Sequence, residues 1–156
     1  MNVTIFKDLF KSTDVPFIVP IEKVFKRVKE GASKNLIDKI RATNNENEKD
    51  RLKKKLPAIL FAGEFSERNK NGLISHSGIM ITDFDDFPNE DVYNSMMNLL
   101  KSNNHILFAF RGPSGDGIKA GVRIPKCDKI DHEKYFKAFK KEYNYDYFDQ
   151  SNCDVS

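Results

Sequence analysis

Between Ser77 and Asp149 the chain alternates short apolar runs with longer stretches whose apolar positions recur every three to four residues. That alternation limits the fold more than any other feature of the sequence. Ser77 to Phe84 predicts a strand, and Pro88 with Asn89 opens a helix carrying Val92, Met96, Leu99 and Leu100. His105 to Phe110 predicts a second strand. The turn Gly112-Pro113-Ser114-Gly115-Asp116-Gly117 leads to a third, Ile118 to Ile124. Asp131 opens a second helix with Tyr135, Phe136 and Phe139 on one face, and Tyr145 to Asp149 predicts a last short strand. The order is β-α-β-β-α-β. Its favoured solution is an α+β split βαβ core, an antiparallel sheet in spatial order 4-1-3-2 with both helices on one face.

The residues before this core read as a smaller α/β unit. Asp14 to Pro20 is held extended by its prolines. A helix from about Ile21 sets Val24, Phe25 and Val28 on one face, breaks at Gly31 and resumes through Leu36, Ile37 and Ile40. A polar turn and a short helix finishing in Lys53-Lys54-Lys55 follow, then a buried strand from Ala58 to Ala62 and a loop from Gly63 to Gly72. With 156 residues and no Pro/Gly/Ser-rich linker, the expectation is one domain, with an N-terminal unit over 1–72 and a core over 73–156.

Composition removes several functional classes. Cys127 and Cys153 are too few for a disulfide framework, or for a four-ligand zinc site unless the three histidines converge on them, and suit free thiols in a reducing compartment. No apolar run approaches the length of a membrane span, and the N-terminus lacks the basic-then-apolar order of a secretion signal. The expected setting is cytoplasmic, in a bacterial or phage-infected cell. A formal charge of +3 permits a polyanionic partner without requiring one. Seven basic residues lie between Lys39 and Lys55, and the Lys49 to Lys55 cluster reads either as a solvated face or as a patch tracking a nucleic-acid backbone.

Side chains alternate along a strand, so Asp83 and Asp85 share a face, about 6.6 Å apart, while Met80, Thr82 and Phe84 face the helices. In the third strand Ile118, Ala120, Val122 and Ile124 face the helices, and Lys119 and Arg123 point the other way. The predicted topology sets the first and third strands side by side. Asp83 and Asp85 then meet Lys119, with the Ser114 turn above them. Paired carboxylates repel, and a bound Mg²⁺ or Mn²⁺ relieves that repulsion. The turn has two readings: an ordinary hairpin connection, or a loop whose N–H groups, with Ser114 and Lys119, receive a phosphate. His76 reads as an ordinary edge histidine, and His105 and His132 receive no role. Tyr143, Tyr145, Tyr147 and Phe148 read as core or sheet residues rather than base-stacking platforms.

With these residues in view, the chain resembles the VirE N-terminal-domain family of the archaeo-eukaryotic primase (primase-polymerase) superfamily. The resemblance runs from about Val24 to the end. It is carried by Lys54-Lys55-Leu56-Pro57-Ala58-Ile59 with Gly63, Phe65 and Arg68, by His76-Ser77-Gly78 before Asp83-Phe84-Asp85, by Pro113 to Lys119, and by Phe148 to Ser156. It implies an RNA-recognition-like catalytic core with an N-terminal α/β unit over the active face. It also implies that Asp83, Asp85 and Asp149 are the metal-binding and catalytic acids, with Asp154 competing for the last place. Ser114 and Lys119 fall where that superfamily has a serine and a nucleotide-binding histidine. A further strand and an arginine are expected just past Ser156, so the chain reads as truncated.

The leading expectation is therefore metal-dependent nucleotidyl transfer on a DNA template in replication, as a primase or polymerase. Asp83, Asp85 and Asp149 hold the metal. Ser114, Gly115, Gly117, Lys119 and Arg123 bind the nucleoside triphosphate, and Lys55 and Arg68 contact nucleic acid. A helicase domain or protein is the expected partner, and no membrane is involved. The rival expectation is a non-catalytic single-stranded nucleic-acid-binding module; a metal-dependent nuclease is a third.

Overall fold

The structure is a computed structural model that describes residues 1–7, 14–149 and 155–156. The chain divides into two compact units, Met1–Ser77 with Ser156, and Gly78–Val155. Among the described residues no helix is long and apolar enough to cross a membrane. Helices and antiparallel sheets are both present throughout, so the protein is α+β.

In the first unit β1 (Asn2–Phe6) is the centre of a sheet, flanked by β2 (Phe17–Pro20) and β3 (Ala58–Leu60), both antiparallel to it. Three helices lie between the flanking strands in sequence: α1 (Ile21–Lys29), α2 (Lys34–Ala42) and α3 (Glu46–Lys53). Ile21 and Val24 of α1 and Ile40 of α2 are buried, whereas Val28, in the last turn of a nine-residue helix, is exposed. The segment read as a loop contains β4 (Gly63–Phe65), paired with β5 (Leu73–His76) in a second, two-stranded sheet. Gly63 is required there, because a Cβ would overlap the carbonyl oxygen of Ser75. The buried Thr4 hydroxyl ties the two sheets: it donates to Gly63 O at 2.9 Å and accepts from Phe65 N at 2.9 Å. Because β5 pairs with β4, the unit ends at Ser77, five residues beyond the boundary expected at Gly72.

The second unit is built on β6 (Ile79–Phe84), α4 (Glu90–Ser102), β7 (Ile106–Arg111), β8 (Ile118–Arg123) and α5 (Lys129–Tyr143). The strands form an antiparallel sheet in order β6-β8-β7, so β8 is inserted between two strands joined by the α4 crossover. On the outer side of β6, Phe84 makes a single antiparallel bridge with Phe148. The expected fourth strand is reduced to this bridge. Asn144 and Tyr147 both adopt positive φ, which interrupts an extended run on either side of Tyr145.

Both helices pack on one face of this sheet. Tyr93, Met96 and Leu100 of α4 lie with Phe84, Ile118 and Ala120, and Phe136 and Phe139 of α5 lie with Met80 and Val122. Phe148 joins the two clusters, edge-on to Phe84 at 5.3 Å and 5.2 Å from Phe136 between ring centroids. The helix starts follow local capping. Asn89 accepts from Val92 N, and Asp128 accepts from Ile130 N and Asp131 N. α5 thus begins two residues ahead of the aspartate from which the sequence predicts it, and Asp131 lies inside its first turn.

Candidate functional site

The face of the sheet away from the helices carries the charged residues. Asp83 is the register partner of Lys119, which on its other side faces Phe110 of β7. The lysine Nζ donates to both carboxylate oxygens of Asp83, each at 2.6 Å. The Asp83 side chain is 9% exposed and that of Lys119 41%, so the acid is the buried partner and the lysine the accessible one.

Asp85 follows β6, and backbone bonds hold it close to the incoming tail. Asp85 N donates to Tyr147 O at 3.0 Å, and Asp149 N donates to Asp83 O at 2.9 Å. These two bonds frame the Phe84–Phe148 bridge and bring Asp149 to Asp83 and Asp85. The backbone departs from ordinary geometry on both sides of the contact: Asp86 and Tyr147 each have φ near +62°. Phe87 packs on Tyr147 at 5.0 Å between centroids, which supports that bend.

The acids act on one another. Partial burial pushes the Asp85 carboxyl above the usual aspartate range. The charge of Asp83 raises it further, Lys119 opposes this, and Asp149 and Asp116 add to the rise. Four carboxylates and one lysine therefore share one electrostatic neighbourhood. Such hard oxygen donors suit Mg²⁺ or Mn²⁺, and the mutual repulsion at Asp85 is what a divalent cation relieves. Asp83, Asp85 and Asp149 fit such an ion by donor chemistry, with Lys119 competing for both oxygens of Asp83.

The glycine turn closes against this cluster. A Cβ on Gly117 would overlap Asp85 Oδ1, so the carboxylate lies directly on the glycine. Gly115 has φ +93°, a conformation that favours glycine. Two amides are spent inside the turn: Gly112 N donates to Gly117 O and Gly115 N to Gly112 O. The turn is thus a hydrogen-bonded hairpin connection in which the Gly115 N–H is engaged. Ser114 is half-buried within it. Arg111, just before the turn, lies 3.8 Å above the Tyr93 ring centroid and pairs with Glu90, which anchors the turn to the start of α4.

Arg123 is exposed, opposite Ile79 at the far end of the β6–β8 ladder, four residues or about 13 Å of strand from Lys119. Lys55 and Arg68 are exposed residues of the first unit. Of the basic stretch, Lys49, Arg51 and Lys53 each pair with the acid three residues earlier (Glu46, Glu48 and Asp50). Asp154 and Cys153, with the rest of Gln150 to Asp154, lie outside the described residues. The Cys127 thiol is pushed up by burial and then by Asp131 and Asp128, which disfavours its reactive thiolate. The sequence reading gave no part to Asp116, whose place in the glycine turn was the available signal.

Fold and site together define an α+β protein whose sheet face away from the helices ends in a carboxylate–lysine cluster. Residues 51–150 match the family model described as BT4734-like, N-terminal domain, and the chain belongs to that family. This match corrects the resemblance drawn from the sequence: the family matched is this one, not the VirE N-terminal-domain family of the primase superfamily. The motifs behind that resemblance are short acid, glycine and lysine patterns, which chemistry of several kinds can place at a strand end. No curated protein and no solved structure matches the chain.

Proposed function

We propose that the chain carries out divalent-cation-dependent nucleotidyl transfer on a nucleic-acid template, a primase- or polymerase-like reaction. The reading now stands on geometry and not on family. The observation that carries it is the backbone bridge that joins Asp149 to Asp83 and Asp85 beside Lys119.

In this reading Asp83, Asp85 and Asp149 hold Mg²⁺ or Mn²⁺. When bound, the cation lowers the pKa of an attacking hydroxyl and stabilises the departing pyrophosphate. Lys119 has two alternative partners. With no nucleotide it neutralises Asp83; when a triphosphate arrives, its accessible ammonium turns to the phosphates and releases both carboxylate oxygens. Ser114 supplies a hydroxyl donor at the turn, and the Asp85–Gly117 contact keeps turn and acids in register. Arg123, Lys55 and Arg68 are assigned to nucleotide or nucleic-acid backbone, and a helicase domain or protein is the proposed partner.

One observation favours the non-catalytic rival. The Asp83–Lys119 pair is complete without a cation, so it also serves as a structural lock between β6 and β8. Incubation with labelled template, nucleotides and Mn²⁺ separates the readings. Extension that disappears in Asp83→Ala/Asp85→Ala, with the circular dichroism spectrum unchanged, supports transfer. Template binding with no extension favours the binding module, and template degradation favours a nuclease. Synthesis that persists in the double variant refutes the site.

A further inference from the structure

Phe84 is the register partner of Ile118, so antiparallel order sets Asp85 opposite Gly117, one step beyond the end of the β6–β8 ladder. The Asp85 backbone is held there from two sides. Its N–H donates to Tyr147 O at 3.0 Å, and the next residue, Asp86, has φ +62° and turns the chain away. With the main chain fixed, side-chain torsion decides where the carboxylate lies, and it lies on Gly117.

Gly117 is buried and its φ is not positive, so the position requires glycine for space and not for backbone conformation. A Cβ there would overlap Asp85 Oδ1 and come 3.3 Å from Asp85 Cγ, while the nearest backbone atom, Phe84 O, would lie at 3.1 Å. An added methyl in a filled space displaces side chains or backbone. Here the atoms most in its way are the tip of a side chain, so alanine would move the carboxylate far more than the strand. Gly112 of the same turn differs: a Cβ there would meet only Gly117, with its oxygen at 3.5 Å, an ordinary contact distance.

We infer that Gly117 is a positioning residue, a seat without a side chain that fixes the place of the Asp85 carboxylate in the acid cluster. The inference rests on the proposed function for one point only, that the acids take a cation. The role is distinct from the triphosphate contact expected of this glycine from sequence. Altering the partners that orient a metal ligand typically changes metal affinity about 10–100-fold.

Two measurements on the full chain test the seat. Without metal, the Asp85 rotamer is read by nuclear magnetic resonance from its Hα–Hβ couplings in the wild type, Gly117→Ala and Gly112→Ala. With Mn²⁺, binding is followed in the same proteins, in Asp85→Ala and in Gly117→Ala/Asp85→Ala by loss of the free-ion electron paramagnetic resonance signal. Gly117→Ala should change the rotamer and weaken Mn²⁺ binding about tenfold, and Gly112→Ala should change neither. The double variant should bind no more weakly than Asp85→Ala alone, because the glycine acts through that carboxylate. An unchanged rotamer, an unchanged Mn²⁺ affinity, or losses that multiply in the double variant overturns the seat. So does an equal loss in Gly112→Ala, which marks a general disturbance of the turn. Should Gly117→Ala lose its fold, the double variant decides: removing the carboxylate should restore the circular dichroism spectrum, and a double variant equally unfolded overturns the seat. A wild type that binds no Mn²⁺ while the rotamer still responds to Gly117→Ala upholds the seat and removes the cation reading.

Discussion

Two charged regions of this chain look alike in composition and differ in how they are built. In α3 the acids Glu46, Glu48 and Asp50 and the bases Lys49, Arg51 and Lys53 sit within one helix, and each base finds its acid three residues back. The cluster at Asp83 collects Lys119 from 36 residues away and Asp149 from farther still, through strand register and one bridge. The first is a solvated helix face that satisfies itself. The second is partly desolvated, and burial together with the neighbouring acids raises the proton affinity of Asp85. Charge density alone does not mark a site; charges that long-range structure forces together do.

The largest expected effect comes from removing what assembles the second cluster. Phe84 is fully buried between β8, α4 and Phe148, and Phe84→Ala should cost about 3–5 kcal/mol in chemical denaturation. A loss under about 1 kcal/mol would show that the core does not hold the acids in place.

Lys119→Ala is next. It leaves Asp83 buried without its ammonium, at an expected cost of about 2–3 kcal/mol. Asp83→Ala should cost less, because Lys119 can turn to solvent. In Lys119→Ala, Mn²⁺ should raise the melting temperature more than it does in the wild type, since the ion takes the vacated place. Equal Mn²⁺ responses would argue for the structural lock.

Asp85→Asn should have a small and opposite effect. A carboxyl held above its ordinary range stabilises the fold while protonated and loses that contribution as pH rises through its raised value. The variant should therefore match the wild type below about pH 3.9 and gain about 1–2 °C at neutral pH in low salt. Mn²⁺ should erase the gain. A variant less stable than the wild type at pH 7 without metal contradicts the repulsion argument.

Arg51→Ala is the control at the bottom of the range. The arginine is exposed and its partner Glu48 partly so, so the melting temperature should not move measurably in physiological salt. A clear drop would mean that the locally satisfied helix contributes more than its solvated pairs suggest.

Much of the second unit was legible because its elements carry a clean period. β6 and β7 are short apolar runs, β8 alternates, α4 repeats every three to four residues, and the juxtaposition of Asp83 with Lys119 follows once the strands pair. The first unit was read less well. β1 received no reading, and β4 and β5 are three and four residues long and largely polar, too short to show alternation. Their pairing depends on a close approach at Gly63 that a local pattern does not reveal. At the site, the Asp85–Gly117 contact was also hidden, since it is a matter of shape between two loops.

The order of residues by itself determined which segments of the second unit become strands and helices, and which face of β6 and β8 bears charge, because local pattern is a property of neighbouring positions. The tertiary structure decided that Lys119 occupies both oxygens of Asp83, that Asp149 arrives through one bridge, and that Asp85 lies on Gly117. Those outcomes depend on distances between segments far apart along the chain, and packing of the core around Phe84 and Phe148 sets them.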